Sequence, residues 1–189
     1  MERKFVCTIG VFAGILREDG RLLLRKRISP EEAESIVPGK TVKGDWELPG
    51  GAVREEEAFA FGNEMAFIEA LKREVQEEVG LEISLPMMSA MYPAVFVKRL
   101  PDREIKDSAF VMVVLPSQWQ GQPKGIVTWV SPKELKELAQ RKPGNRLISG
   151  WGKRMCRMAL MALSKSTNHE FAKKAIEYLK EIQGQMKGY

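Results

Sequence analysis

The chain has 189 residues, 44% of them hydrophobic and 29% charged, with a formal net charge of +5. This is an ordinary composition for one soluble domain with a sizeable core, and nothing in it demands a second domain. The two cysteines, Cys7 and Cys156, are too far apart to form a metal-ligand spacing or a disulfide framework, so their expected role is packing in a reducing cytoplasm.

Met1-Glu2-Arg3-Lys4 and the apolar run from Phe5 to Leu16 look superficially like a signal peptide. The run has no small-residue cleavage site, is too short to span a bilayer as a helix, and leads into Asp19-Gly20 and a second apolar run, Leu22-Leu23-Leu24. No membrane association is expected. Two strands, Phe5 to Leu16 and Arg21 to Arg27, are predicted to form a hairpin about a two-residue Asp19-Gly20 turn. Ser29-Pro30-Glu31-Glu32 has the form of a helix start, for a short helix ending before Pro38-Gly39. Trp46-Glu47-Leu48 reads as a short strand entering a Gly50-Gly51 turn.

A helix is predicted from Asn63 to Val79, because Ile68, Leu71, Val75 and Val79 form an apolar stripe and Gly80 can adopt the left-handed conformation that ends it. Strands follow at Leu81 to Ser84, Tyr92 to Arg99, Ser108 to Leu115 and Ile126 to Val130. Ser131-Pro132-Lys133-Glu134 is a second capped helix start. Amphipathic helices are expected over about Arg146 to Leu163 and Asn168 to Gln183. The stretch from Leu138 to His169 carries seven Lys or Arg and no Asp or Glu. It could face an anion, but a solvated helix surface balancing the acidic stretch elsewhere is the favoured reading.

The acidic stretch is Arg73-Glu74-Val75-Gln76-Glu77-Glu78-Val79-Gly80-Leu81. Residues three and four apart are neighbours on a helix, so Glu74, Glu77 and Glu78 crowd together and repel unless a divalent cation sits among them. Mg²⁺, with Mn²⁺ as a substitute, suits such oxygen donors and commonly shares its coordination with substrate phosphates. A lone Glu-x-x-Glu-Glu is more often a solvated helix face. Here it follows Pro49-Gly50-Gly51, Glu57 and Arg73-Glu74, and is closed by Gly80-Leu81.

That combination resembles the Nudix box, G-x5-E-x7-R-E-U-x-E-E-x-G-U with U aliphatic, the signature of hydrolases that cleave a nucleoside diphosphate linked to another moiety. Every fixed position is filled, but 15 residues separate Glu57 from Arg73, an insertion of 8 that covers Ala58 to Met65. The resemblance spans about Phe5 to Gln140 and implies an α/β fold, an α/β/α sandwich with a mixed β-sheet. Residues 1–189 then form one Nudix-like domain, with 1–140 as its core and 141–189 as a C-terminal helical extension.

The resemblance also implies roles. Glu74, Glu77 and Glu78 would bind the metal, with a backbone carbonyl from Gly51. Glu57 and Arg73 would pair to hold the glycine loop against the helix, and Glu64 could replace Glu57. The general base is left open among Glu74, Glu78 and an acid from the Asp102 to Asp107 turn, because the loop Gln118 to Gly125, where some relatives carry it, holds no acid. His169, the only histidine, reads as a solvated residue at a helix start. Arg25 and Arg27, on one face of their strand, are candidates for nucleotide contact; exposure on a hairpin edge is the alternative. Phe59 and Phe61 could stack on a base, although tucking into the core is favoured. Met155, Met158 and Met161 read as helix packing.

The function implied is a metal-dependent pyrophosphohydrolase acting on a nucleotide-derived small molecule such as a nucleotide sugar, nucleoside triphosphate, dinucleoside polyphosphate or capped RNA end. The alternatives are a non-catalytic nucleotide-sensing module and RNA binding through the basic C-terminal helices. Nucleic acid is the disfavoured partner, and a homodimer is compatible with the same reading.

Overall fold

The computed structural model describes residues 4–27, 44–85, 91–99, 103–141 and 152–186. The helix expected after Ser29 therefore lies outside the described residues, as does Asp102. Among the described residues, nine strands and four α-helices follow in order: β1 (Lys4–Ile15), β2 (Leu22–Lys26), β3 (Trp46–Glu47), β4 (Gly50–Ala52), α1 (Glu55–Val79), β5 (Glu82–Ile83), β6 (Met91–Arg99), β7 (Arg103–Val114), β8 (Trp119–Gln120), β9 (Val127–Val130), α2 (Pro132–Gln140), α3 (Gly152–Leu163) and α4 (His169–Met186).

β1 organises the molecule. It pairs in parallel with β7 over its whole length, from Lys4 opposite Arg103 to Ile15 opposite Val114, and antiparallel with β4. With β6 antiparallel to β7, this makes a mixed sheet of order β4-β1-β7-β6, and β3-β2-β9 forms a second, antiparallel sheet. Side chains alternate across a strand, so β1 feeds two cores. Val11, Ala13 and Ile15 join Leu23, Met112 and Val114 against Ile68, Leu71, Val75 and Val79 of α1. Phe12 and Leu16 join Leu22, Leu24, Val111 and Val113 against Leu135 of α2, Met155, Met158 and Ala159 of α3 and Ala175 of α4. Helices thus cover both faces, which makes the fold an α/β/α sandwich. The C-terminal helices are one of its two outer layers, a closer involvement than an extension packed on a finished core.

Local chemistry explains where elements stop. Gly80 ends α1 at φ 66°, its N–H donating to the Gln76 carbonyl. Ser131 and Glu134 exchange the two hydrogen bonds of a capping box at α2, with Pro132 in its first turn. The connection from α3 to α4 is tied to the β1–β2 turn: the Ser166 hydroxyl donates to the Gly20 carbonyl at 3.0 Å, and Asn168 accepts N–H bonds from Glu170 and Phe171 to cap α4.

Several expectations need correction. The β1–β2 turn is a three-residue loop: Arg17 N–H meets the Arg21 carbonyl, and Gly20 sits at φ 84°. Beyond the Leu16–Leu22 bridge the two strands diverge into different sheets, because each finds a longer partner elsewhere. Residues 103–107 are paired strand and not a turn. The motif helix begins at Glu55 instead of Asn63, so Ala58 to Met65 is helical and Phe59 and Phe61 lie on helical backbone; their side chains lie outside the described residues.

Sheet and outer layer approach closely at Gly14 of β1, where an added Cβ would stand 2.4 Å from the Ala162 Cβ of α3. Gly14→Val should therefore destabilise the protein by about 1–3 kcal/mol, the usual cost of overpacking a core. Denaturant unfolding of the variant beside wild type checks this, and an unchanged midpoint would show that α3 is free to move away from the sheet.

Candidate functional site

The glycine turn is built onto β1. Gly51 and Gly50 pair with Val11 and Phe12, the Ala13 N–H donates to the Pro49 carbonyl at 2.7 Å, and the Val53 N–H donates to the Ile9 carbonyl at 2.8 Å. The two glycines are required for different reasons. Gly50 has φ 146°, and a Cβ there would stand 2.2 Å from the Val11 carbonyl oxygen. Gly51 has no such backbone requirement; a Cβ on it would enter the Glu74 carboxylate, 2.5 Å from its carbon and 2.6 and 2.7 Å from its oxygens. The helix therefore lays a carboxylate directly against the turn.

Arg73 ties this arrangement together. Its Nε donates to Glu57 Oε1 at 2.6 Å, its Nη1 to Glu74 Oε1 at 2.5 Å, and its Nη2 to the Ala52 carbonyl at 3.0 Å. Glu57 also accepts the Arg54 N–H at 2.8 Å. Burial pushes the Glu57 carboxyl up, but Arg73 and Arg54 outweigh it and leave the group below the usual glutamate range, while the bond to Glu57 raises Arg73 further. It is Glu57, across the insertion, that meets Arg73.

That contact constrains the insertion. Glu57 and Arg73 are 16 positions apart on one helix. A straight helix would separate them by about 24 Å, roughly twice what the two side chains can bridge. The segment between them is therefore not a straight helix, although it is helical throughout.

The three motif glutamates occupy different environments. Glu77 is exposed, 3.4 Å from Arg73 Nη1 and 3.5 Å from Arg54 Nη2. Glu78 is largely but not fully buried: its Oε2 accepts the Gly50 N–H at 2.7 Å and its Oε1 lies 2.5 Å from Arg25 Nη2. Burial pushes its carboxyl up to about 8 against the pull of Arg25. Among the described residues no three acidic side chains surround a common point. The donors nevertheless fit a hard divalent cation, since three carboxylates share one helical surface and one of them fills the space a Cβ on Gly51 would take.

Arg25 and Arg27 face inward on Glu47, neither of them as an exposed hairpin edge. Arg27 Nε and Nη2 donate to Glu47 at 3.1 and 2.9 Å, and Arg25 Nη2 lies 2.5 Å from Glu47 Oε1. Glu47 is the residue that sequence reasoning missed. Its signal was a charged residue between Trp46 and Leu48 in a strand, a place that a glutamate occupies buried only when it is paired. The acid-free loop from Gln118 to Gly125 reaches the end of α1, where the Lys124 N–H donates to the Val79 carbonyl at 2.8 Å and its stem lies over Gly80. Met155 and Met158 are core residues, and His169 is the exposed first residue of α4.

The NUDIX domain model matches residues 7–151. No curated protein sequence matches the chain. Among solved structures, the E. coli ORF135 protein is 26% identical with a TM-score of 0.43, the match covering 70% of this chain and 79% of that one. A MutT NUDIX hydrolase from Burkholderia pseudomallei is 22% identical with a TM-score of 0.40, covering 67% and 84%. A bifunctional NMN adenylyltransferase/ADP ribose pyrophosphatase from Francisella tularensis is 17% identical with a TM-score of 0.49, covering 82% and 41%. The domain match takes in the glycine turn, the clamp at Arg73 and all three motif glutamates, and by it the chain belongs to the Nudix family.

Proposed function

We propose that this chain is a metal-dependent pyrophosphohydrolase that cleaves the phosphoanhydride of a nucleoside diphosphate linked to another moiety. The observation that carries the reading is the Arg73 clamp, which holds Glu57, Glu74 and the Ala52 carbonyl together and so presses the glycine turn against the helix that bears Glu74, Glu77 and Glu78. Those three carboxylates and the Gly51 carbonyl would hold Mg²⁺, or Mn²⁺ in its place. When bound, such a metal neutralises charge on the phosphates and lowers the pKa of a water. The protein supplies the orientation. Arg73 fixes Glu74 beside the turn, the Gly50 N–H fixes Glu78, and Glu74 or Glu78 takes the proton from the attacking water.

The direct test is a product screen with Mg²⁺ over nucleotide sugars such as ADP-ribose, nucleoside triphosphates, dinucleoside polyphosphates and capped RNA ends, reading nucleoside monophosphate release by chromatography. Glu77→Gln and Glu78→Gln should each lower turnover on the best substrate by orders of magnitude with the circular dichroism unchanged. Near-normal turnover in either variant at low Mg²⁺ would remove that residue from the metal site.

The two glycines should separate fold from chemistry. Gly51→Ala displaces only the end of the Glu74 side chain, so the protein should melt near the wild-type temperature while turnover drops. Gly50→Ala collides with backbone and should lower the melting temperature itself. Similar melting losses in both would mean that the space beside Gly51 is structural.

Excising Ala58 to Met65 should leave Glu57 and Arg73 able to pair, since it removes the helical excursion between them. The variant is expected to fold and keep Mn²⁺ affinity while its ranking of the substrate panel changes, because inserted segments beside a rigid site often carry specificity. An unchanged ranking and unchanged KM values would make the insertion a packing feature.

A further inference from the structure

The buried side of the site contains a chain of charge that the hydrolytic reading leaves without a task. Glu47 is 1% exposed and Arg25 6% exposed. One nitrogen of Arg25, Nη2, lies 2.5 Å from Glu47 Oε1 and 2.5 Å from Glu78 Oε1. The other oxygen of Glu78 accepts the Gly50 N–H at 2.7 Å. Backbone pairing delivers the guanidinium: Arg25 and Glu47 are opposite each other in the β2–β3 ladder, so its location follows from strand register and not from a loop. A second cation, Arg27, holds the far side of Glu47 at 2.9 Å.

This geometry suits a residue that acts on another side chain better than one that meets a substrate. A phosphate approaching Nη2 would have to displace Glu47 or Glu78 from it, exchanging a buried ion pair for another at the cost of leaving a carboxylate uncompensated. Glu78, by contrast, keeps a lone pair on each oxygen beyond the contacts it makes, so its bonds to Arg25 and Gly50 leave it able to ligate a cation. Outer contacts of this kind orient metal-binding carboxylates.

We propose that Arg25 is a positioning residue, which through its contact with Glu78 holds that carboxylate on the Gly50 turn in the orientation that binds a divalent cation, with Glu47 holding Arg25 in turn. The effect on turnover rests on the hydrolase reading; the effect on metal binding does not.

The test uses the full chain and two readouts: Mn²⁺ affinity by electron paramagnetic resonance of free metal, and steady-state kinetics on the best substrate of the panel. Arg25→Ala should weaken Mn²⁺ binding and lower kcat by about 10- to 100-fold, the usual effect of losing such a contact. Its KM should stay within about twofold of wild type, since no substrate contact is lost. Arg25→Lys should lose less, because a single nitrogen makes both contacts and an ammonium can donate to two carboxylates. Glu47→Gln, too buried to touch substrate, should reproduce the kcat defect in milder form. A raised KM with unchanged kcat and unchanged Mn²⁺ affinity in Arg25→Ala would overturn the proposal and make Arg25 a phosphate ligand. If the alanine variant fails to fold, the same outcome in Arg25→Lys overturns it. If wild type cleaves nothing in the panel, the hydrolase reading fails by itself, and equal Mn²⁺ affinity in wild type and variant then overturns the positioning role.

Discussion

Arg73 joins three parts of the chain that would otherwise have no reason to meet: the first turn of α1 through Glu57, the glutamate-bearing turn of the same helix through Glu74, and the glycine strand through the Ala52 carbonyl. A guanidinium suits this position because its planar fork of donors serves several acceptors at once without titrating, which an ammonium cannot match geometrically. Charge-assisted hydrogen bonds of this partly buried kind contribute about 1.5–3 kcal/mol each. Their geometric consequence matters more than their sum. With Arg73 in place, Gly51 and the Glu74 carboxylate are in contact, and the two ends of α1 that carry Glu57 and Glu74 are joined.

The Glu57–Arg73 contact shows that a long insertion coexists with the family motif. Eight added residues in a straight helix would carry Glu57 about 12 Å farther from Arg73 and abolish the clamp. The contact forms because the segment between them is not straight, and Ala66 to Val79 stays seated on the sheet as its apolar stripe dictates, with Leu71, Val75 and Val79 fully buried.

The site is also a junction between the two sheets. The glycine strand belongs to the sheet of β1, whereas Arg25 and Glu47 come from β2 and β3 of the other sheet. Glu78 is touched from both, by the Gly50 N–H and by Arg25. The outer helices act at a distance: α3 packs on the opposite face of β1 at Gly14, and the segment leading into α4 clamps the turn from which β2 departs.

Much of this was legible in the sequence because it depends on local periodicity and on residues with specific conformational duties. The apolar stripe from Ile68 to Val79, the left-handed stop at Gly80, the capping box at Ser131 and the long apolar strand before Leu16 are each set by neighbours within a few positions, and the placing of Glu74, Glu77 and Glu78 on one helical surface follows from helical geometry alone. What only the tertiary structure decided depends on partners distant in the chain. The β1–β2 hairpin opens into two sheets because β7 and β9 offer longer pairings. Asp107 is in a strand because β1 and β6 bracket it. The helix departs from a straight course between Glu57 and Arg73 because the two meet, which no helical propensity encodes. Glu47 reads as a surface charge until β2 places Arg25 opposite it, and Arg25 turns inward because burial of both groups is tolerable only when each compensates the other.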